Sequence, residues 1–242
     1  VFRRRQRQMC IRDRFIIDGV EKNESLFDLI KLTSKKNKNF IISAYSDNVA
    51  FINGPIIKQF QPKKGDEASY FITKQIESII SLKAETHNFP TTVEPYNGAA
   101  TGSGGEIRDR AAGGTGSLPL IGSAVYMTPY PRLNAKKIWE KNIKERNWKY
   151  QTPADILIKA SNGASDFGNC FGQPLIVGSL FTFEHKEGDE IHSYDKVIML
   201  AGGVGYGELN QSIKGKPKKG DTIVLLGGDN YRIGMGGASV SS

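Results

Sequence analysis

Cysteine, histidine and long apolar runs are all scarce in this 242-residue chain, and each scarcity excludes something. The two cysteines, Cys10 and Cys170, build no disulfide framework and have no metal-ligand spacing. Cys170 sits in DFGNCFGQP and reads as a small packed residue, since nothing beside it supports a catalytic thiol. No stretch approaches the ~20 apolar residues that span a bilayer, and no secretory pattern opens the chain. The expected location is the cytoplasm. Hydrophobic residues at 38% and charged residues at 24% are ordinary for a globular protein, so disorder is not the default reading. The length allows one large domain or two small ones.

Basic charge is present but badly distributed for a nucleic-acid binder. The net charge is +8, yet residues 1–14, VFRRRQRQMCIRDR, carry six arginines against one aspartate and so supply +5 of it. The body keeps only +3 and has no stripe of basic and aromatic residues of the kind that binds single strands. The opening stretch has neither a helical nor a strand period, and reads as a foreign or mis-assembled end. If the chain bound RNA through its body, deleting residues 1–14 would leave that binding intact.

From Phe15 onward the pattern is protein-like. SLFDLIKLT (25–33) has helical spacing with Ser25 as N-cap. FIISAYSDNVAFING predicts two strands around a turn at 46–48, the second ending at Gly54-Pro55, and 63–67 is another polar turn. In SIISLKAETH (78–87), Ile80, Leu82, Ala84 and Thr86 share one face of a strand, while Lys83, Glu85 and His87 share the other. That polar face suits either a half-exposed edge or the wall of a polar site. Next come a strand at SAVYMT, a turn through Pro129 and Pro131, and a basic helix over 134–148. Thr152 and Pro153 start a further helix ending at Gly163. Strands are expected at PLIVGSLFTFEH, KVIMLAGG and DTIVLLGG. His185 and His192 flank a surface hairpin turn. A boundary between domains 15–150 and 151–242 falls near 149–152.

What the chain has in plenty is glycine, 27 residues, clustered rather than periodic. The richest cluster, YNGAATGSGGEIRD (96–109), reads as a tight loop whose bare N–H groups and small hydroxyls suit a polyphosphate. A helix beginning near Glu106 would add its positive end. No Gly-Lys-Ser/Thr follows, so this is not the Walker loop. Gly113-Gly-Thr-Gly116 extends it as a lid or turn. Glu85 and Asp109 flank the cluster and offer the oxygen ligands that Mg²⁺ takes alongside substrate phosphates. Lys83 and Arg108 can offset phosphate charge. His87 is the histidine beside the cluster, and an imidazole can take or give a proton near neutrality.

The run LKAETHNFPTTVEPYNGAATGSGGEIRD (82–109) resembles the signature of the phosphoribosylformylglycinamidine synthases, amidotransferases of purine synthesis. SLFDLIKLT, ISAYSDN, DFGNCFGQP, IMLAGGVG and GGDNYRIGMGGASVSS resemble them too, so the likeness covers 15–242 and is nearest the large multidomain form. It implies an α+β fold. An N-terminal sheet-and-helix domain of the aminoimidazole ribonucleotide synthetase-like type would pair through its sheet with a second copy, and a truncated C-terminal α/β domain would follow. It also implies ATP and Mg²⁺ as cofactors. Lys83 with Gly98, Ala99, Ala100, Thr101, Gly102, Ser103, Gly104, Gly105, Glu106, Ile107, Arg108 and Asp109 would hold ATP, and Glu85 and Asp109 would hold the metal. Thr86, His87, Asn88, Phe89 and Arg108 would contact formylglycinamide ribonucleotide, with His87 as proton acceptor. The implied reaction phosphorylates the amide oxygen to an iminophosphate, and glutamine-derived ammonia then displaces phosphate.

Two departures stand out. Phe89 occupies a position where the family often has a second histidine, and the arginine-rich end replaces a histidine-containing segment. The second synthetase half and the glutaminase domain are expected partners beyond Ser242, so the polypeptide alone is expected to make no product from glutamine. Two readings remain beside this one: another ATP-dependent enzyme of the same superfamily, and a half that holds nucleotide without catalysis.

Overall fold

The computed structural model describes residues 16–37, 40–133 and 137–228. The arginine-rich opening with Cys10, and the closing run from 229 onward, lie outside the described residues. A small antiparallel pair, β1 (Ile16–Ile17) with β2 (Val20–Glu21), leads into α1 (Leu26–Lys36). The cap of α1 is as expected. The Ser25 hydroxyl accepts the Asp28 N–H at 3.1 Å, and the Asp28 carboxylate accepts the Ser25 N–H at 3.1 Å. Lys35 and Lys36 sit in the last turn, where the helix dipole favours cations.

Six strands form one mixed sheet: β3 (Ile41–Ser43), β4 (Ala50–Pro62), β5 (Phe71–Thr86), β6 (Leu118–Thr128), β7 (Leu175–Thr182) and β10 (Ile198–Glu208). Their spatial order is β3-β4-β5-β10-β6-β7, antiparallel throughout except for the parallel pair β6–β7. A separate hairpin, β8 (Glu184–Glu187) with β9 (Glu190–Ser193), pairs His185 with His192. Three helices complete the frame: α2 (Asn88–Val93), α3 (Pro95–Ala111) and α4 (Pro153–Cys170). The architecture is α+β, as expected.

Strands from before and after the expected boundary at 149–152 share this sheet: β10 inserts between β5 and β6, and β7 pairs with β6. Several local expectations are corrected. β4 does not end at Gly54-Pro55. A register shift between Asn53 and Ile56 absorbs the proline's missing N–H, and the Pro55 carbonyl accepts the Ser78 hydroxyl at 2.5 Å. The basic helix over 134–148 is reduced, among the described residues, to one 3-10 turn (Ile138–Asn142). DTIVLLGG forms no strand, and Ile223 and Leu225 are almost fully exposed. Thr152 caps α4 as expected, its hydroxyl accepting the Asp155 N–H at 3.1 Å, but the helix runs past Gly163. The missing side chain at Gly163 admits the Tyr96 backbone, so this glycine is a packing device rather than a stop.

One face of the sheet is covered by α3 and α4. The core there is built from small residues, Ala99, Ala124, Ala160, Ala164 and Ala201, filled out by Tyr126 and Met199. Along β6 the residues Gly122, Ala124, Tyr126 and Thr128 are buried, and those between them are half-exposed, the alternation of a sheet covered on one side. A second core of Val49, Phe51 and Ile79 closes under the Gly113–Gly116 turn.

The irregular segment after β6 is held by charge. Arg132 grips Glu184 bidentately at 2.8 and 3.0 Å, and Arg146 bonds both Glu184 at 2.7 Å and Asp195 at 2.8 Å. Both guanidinium groups lie over the Trp148 ring, at 5.0 and 4.8 Å from its centroid. These contacts explain why 143–148 is not helical.

Two outcomes follow. Gly163→Ala forces a methyl group into the Tyr96 backbone and is expected to cost about 1–3 kcal/mol. Gly65→Ala meets open space and should stay within about 0.5 kcal/mol. Urea midpoints compare the two. Secondly, burial raises the Glu184 carboxyl, but the hydrogen bonds from Arg132 and Arg146 outweigh it and leave it below its ordinary 4.5. Asp195 is lowered from 3.8 against the same burial, chiefly by Arg146. A depressed carboxylate gives its full stabilisation above its unfolded pKa and loses it as pH falls through the folded one. Unfolding free energy from this clamp is thus level above about pH 5 and declines in more acid solution. Glu184→Gln should flatten that decline, measured by urea unfolding from about pH 7 to about pH 3.

Candidate active site

The glycine-rich run is a helix, which corrects the expected loop. Gly98, Gly102, Gly104 and Gly105 all lie inside α3, which begins at Pro95 rather than near Glu106. Each glycine costs a helix roughly 1 kcal/mol relative to alanine, so packing must hold this one. A methyl group on Gly98 would lie 2.5 Å from the Thr91 nitrogen. On Gly102 it would lie 2.8 Å from the Met199 sulfur and 3.0 Å from the His87 Cβ, and on Gly105 2.9 Å from a Glu85 oxygen. Gly104 does the same service on another side, against the Phe167 ring of α4 at 2.8 Å. Spacings of four, three and four connect Gly98, Gly102, Gly105 and Asp109, one face of a helix. That period is the signal by which the helix could have been found.

The interior amides of α3 are therefore engaged in helical bonds. Ala99, Gly102, Ser103, Gly105, Glu106 and Ile107 are buried, Ala100 and Gly104 half-buried. Thr101 is exposed, and its hydroxyl donates to the Asn97 carbonyl at 2.8 Å. Glu106 pairs with Arg110 inside the helix, whereas Arg108 and Asp109, in the last turn, reach charged groups outside it.

Those groups stand on β5. The polar face of this strand is the covered one. β5 is central, not an edge, and Lys83, Glu85 and His87 all meet α3, while Ala84 and Thr86 on the opposite face are exposed. Lys83 Nζ is 2.9 Å from Asp109 Oδ2, and both side chains are largely buried, at 16% and 8% exposure. Arg108 Nη2 lies 3.0 Å from Asp109 Oδ1 and 3.9 Å from Glu85 Oε2. The Glu85 Oε2 atom is buried and has no hydrogen-bond partner among the described residues.

His87 ends the strand. Its N–H donates to the Met199 carbonyl at 2.8 Å, and its ring Nδ1 lies 2.5 Å from the Gly98 carbonyl. A carbonyl only accepts, so Nδ1 carries a proton in this contact, and Nε2 is the ring nitrogen it leaves unused. Asn88 Oδ1 accepts the Met199 N–H at 3.0 Å. Phe89 meets Tyr150 edge-on at 6.1 Å and lines a cavity of about 330 Å³ with Trp148 and Ile156. The structure thus joins Lys83, Glu85, Arg108 and Asp109 into one cluster, with His87 one residue pair further along the strand.

Among the described residues, no three His, Cys, Asp or Glu side chains gather to hold a metal unaided. The cluster nevertheless fits a hard cation. It has two carboxylates, one with an orphaned buried oxygen, and the absent side chain of Gly105 leaves that oxygen its space.

No family model matches the chain. Phosphoribosylformylglycinamidine synthase of Dictyostelium discoideum is 40% identical over 233 residues, which are 95% of this chain and 17% of that protein. The chain therefore spans 17% of the length of the curated relative it matches. Among solved structures, PurLQS from Thermotoga maritima aligns with 84% of this chain and 27% of its own at 11% identity, with a TM-score of 0.50, a likeness of fold. T. maritima PurL complexed with FGAR is 24% identical over 55% of this chain and 16% of its own, with a TM-score of 0.34, too low to bear on the fold. With 40% identity running through 95% of its residues, β5 and α3 among them, the chain belongs to the phosphoribosylformylglycinamidine synthase family, as a match to one stretch of it.

Proposed function

We propose that this chain carries the nucleotide- and metal-binding centre of an ATP-dependent carbon–nitrogen ligase of purine biosynthesis, acting on formylglycinamide ribonucleotide. The observation that carries the reading is the packing of α3 on β5. It assembles Lys83, Glu85, Arg108 and Asp109 beside a histidine anchored through its Nδ1.

Glu85 and Asp109 are the residues that would hold Mg²⁺, which when bound neutralises phosphate charge and so favours transfer of the terminal phosphoryl group. Lys83 serves as a point charge toward phosphate oxygens, and it is already held close by Asp109. Arg108, with 68% of its side chain exposed, has the freedom to swing from Asp109 onto a substrate anion. His87 Nε2 takes the proton that the substrate amide N–H loses as its oxygen is phosphorylated, or the proton that ammonia loses as it bonds to that carbon and phosphate leaves, while Nδ1 stays anchored on the Gly98 carbonyl. The helix amides of 98–107 play no part in holding phosphate in this account. They set the height at which Arg108 and Asp109 stand over the strand. The less covered sheet face, with Leu82, Leu200 and Val204 half-buried, is the surface through which a second synthetase half would pair.

Isothermal titration with Mg-ATP and with formylglycinamide ribonucleotide, separately and together, tests the reading. Asp109→Asn should raise the Kd for ATP in Mg²⁺ at least ~10-fold, about 1.4 kcal/mol, and matter little in EDTA. Arg108→Ala should weaken the ribonucleotide as well as the nucleotide. Binding of nucleotide by the parent chain with no response to the ribonucleotide would leave only a nucleotide-holding module.

A further inference from the structure

The last two turns of α3 are held by a buried charge network that the ligand-binding reading does not use. Arg110 and Glu106, four residues apart, are each about 1% exposed. The Arg110 Nε–H donates to Glu106 Oε2 at 2.8 Å, and Arg110 Nη2 lies 2.7 Å from the same oxygen. Gln173, just past α4, closes the ring. Its amide NH₂ donates to Glu106 Oε1 and its carbonyl accepts from Arg110 Nη2. Gln173 is itself fixed, 2% exposed, with its N–H on the Gly168 carbonyl at 2.9 Å.

Glycines of three elements clear the space. A methyl group on Gly122 would sit 2.8 Å from Gln173 Nε2, on Gly203 2.5 Å from Arg110 Nη2, and on Gly205 2.8 Å from Arg110 Nη1. On Gly168 it would sit 2.6 Å from the Gln173 carbonyl. So much cleared volume for one side-chain ring is not explained by stability, because buried ion pairs are no more stabilising than well-packed apolar groups of the same size. It is explained by direction. An apolar contact tolerates rotation of a helix, whereas a guanidinium fork shared between a carboxylate and a fixed amide permits one rotation only. Asp109 is the neighbour of Arg110, and its 2.9 Å contact with Lys83 is made at that rotation.

We propose that Gln173, acting through Glu106 and Arg110, is a positioning residue that fixes the rotation of α3 and so holds Asp109 against Lys83. The proposal rests on the functional reading above only for its metal-binding consequence. Three variants of the full chain test it: Gln173→Glu, Glu106→Gln, and the two combined. All three are isosteric. Each single change pairs like with like across the Glu106–Gln173 bond, and the double exchange restores every donor and acceptor.

Two quantities are read. The first is hydrogen exchange of the Lys83 ammonium, followed by ¹⁵N NMR of lysine-labelled protein. The second is the Mg²⁺ concentration that half-saturates ATP binding. Both single variants should speed Lys83 exchange and raise the Mg²⁺ requirement about tenfold, and the double variant should restore both. Folded single variants with unchanged Lys83 exchange, or a folded double variant that restores nothing, would overturn the proposal. So would singles that fail to fold beside a folded double, which would make the ring a fold determinant only. If the parent chain binds no Mg-ATP, the ligase reading falls, and Lys83 exchange still decides the positioning.

Discussion

The absence of side chains where α3 lies on the sheet is the constraint on which the structure depends. Gly98, Gly102 and Gly105 let the helix settle on α2 and on the ends of β5 and β10 at a distance no alanine would permit. At that distance Asp109 reaches Lys83, Glu85 keeps an oxygen beneath Gly105, and the Gly98 carbonyl takes the His87 ring proton. A helix of such poor intrinsic propensity would not form alone. It forms because α4 closes on its other side, through Gly104 against Phe167 and Gly163 against Tyr96.

The charges gathered there are a poor way to stabilise a protein. Lys83 and Asp109 lose most of their water, and the Glu85 oxygen is buried with no hydrogen-bond partner among the described residues. Chains place such groups together at sites that bind or react, and compensate elsewhere. Compensation here is visible in the Arg132–Glu184–Arg146–Asp195 clamp and in the alanine-rich core, whose Ala201 pairs with Glu85 across the strands. The ring of Glu106, Arg110 and Gln173 stands between the two roles, buried like a core element and directional like a site element.

Local chemistry was legible in the sequence where it was decided locally. Ser25 and Thr152 announced their caps, and alternation along 78–87 placed Lys83, Glu85 and His87 on one face. What was not legible was which face would be covered. The isoleucines and leucines of β5 suggest an apolar interior, yet the charged side lies under α3, a helix whose glycine-rich sequence reads as a loop. Composition misled there: glycine and serine in a row suit a tight turn as well as a helix held by its neighbours, and the three-four spacing that separates these cases was in view. The strand order lay further out of reach. Nothing in the local pattern says that β10 enters between β5 and β6, since that pairing spans more than a hundred residues. Gln173 escaped for the same reason, being 67 positions from Glu106.

Amide hydrogen exchange across residues 98–109 tests the central claim most directly. A helix pressed between a sheet and α4 should protect the amides from Gly102 to Asp109 by ~10³ or more, equivalent to an opening free energy of about 4 kcal/mol. Exchange at the rate of an open glycine loop over the same residues would contradict the account. Neither the carboxylate cluster nor the anchoring of His87 would then have a structural basis.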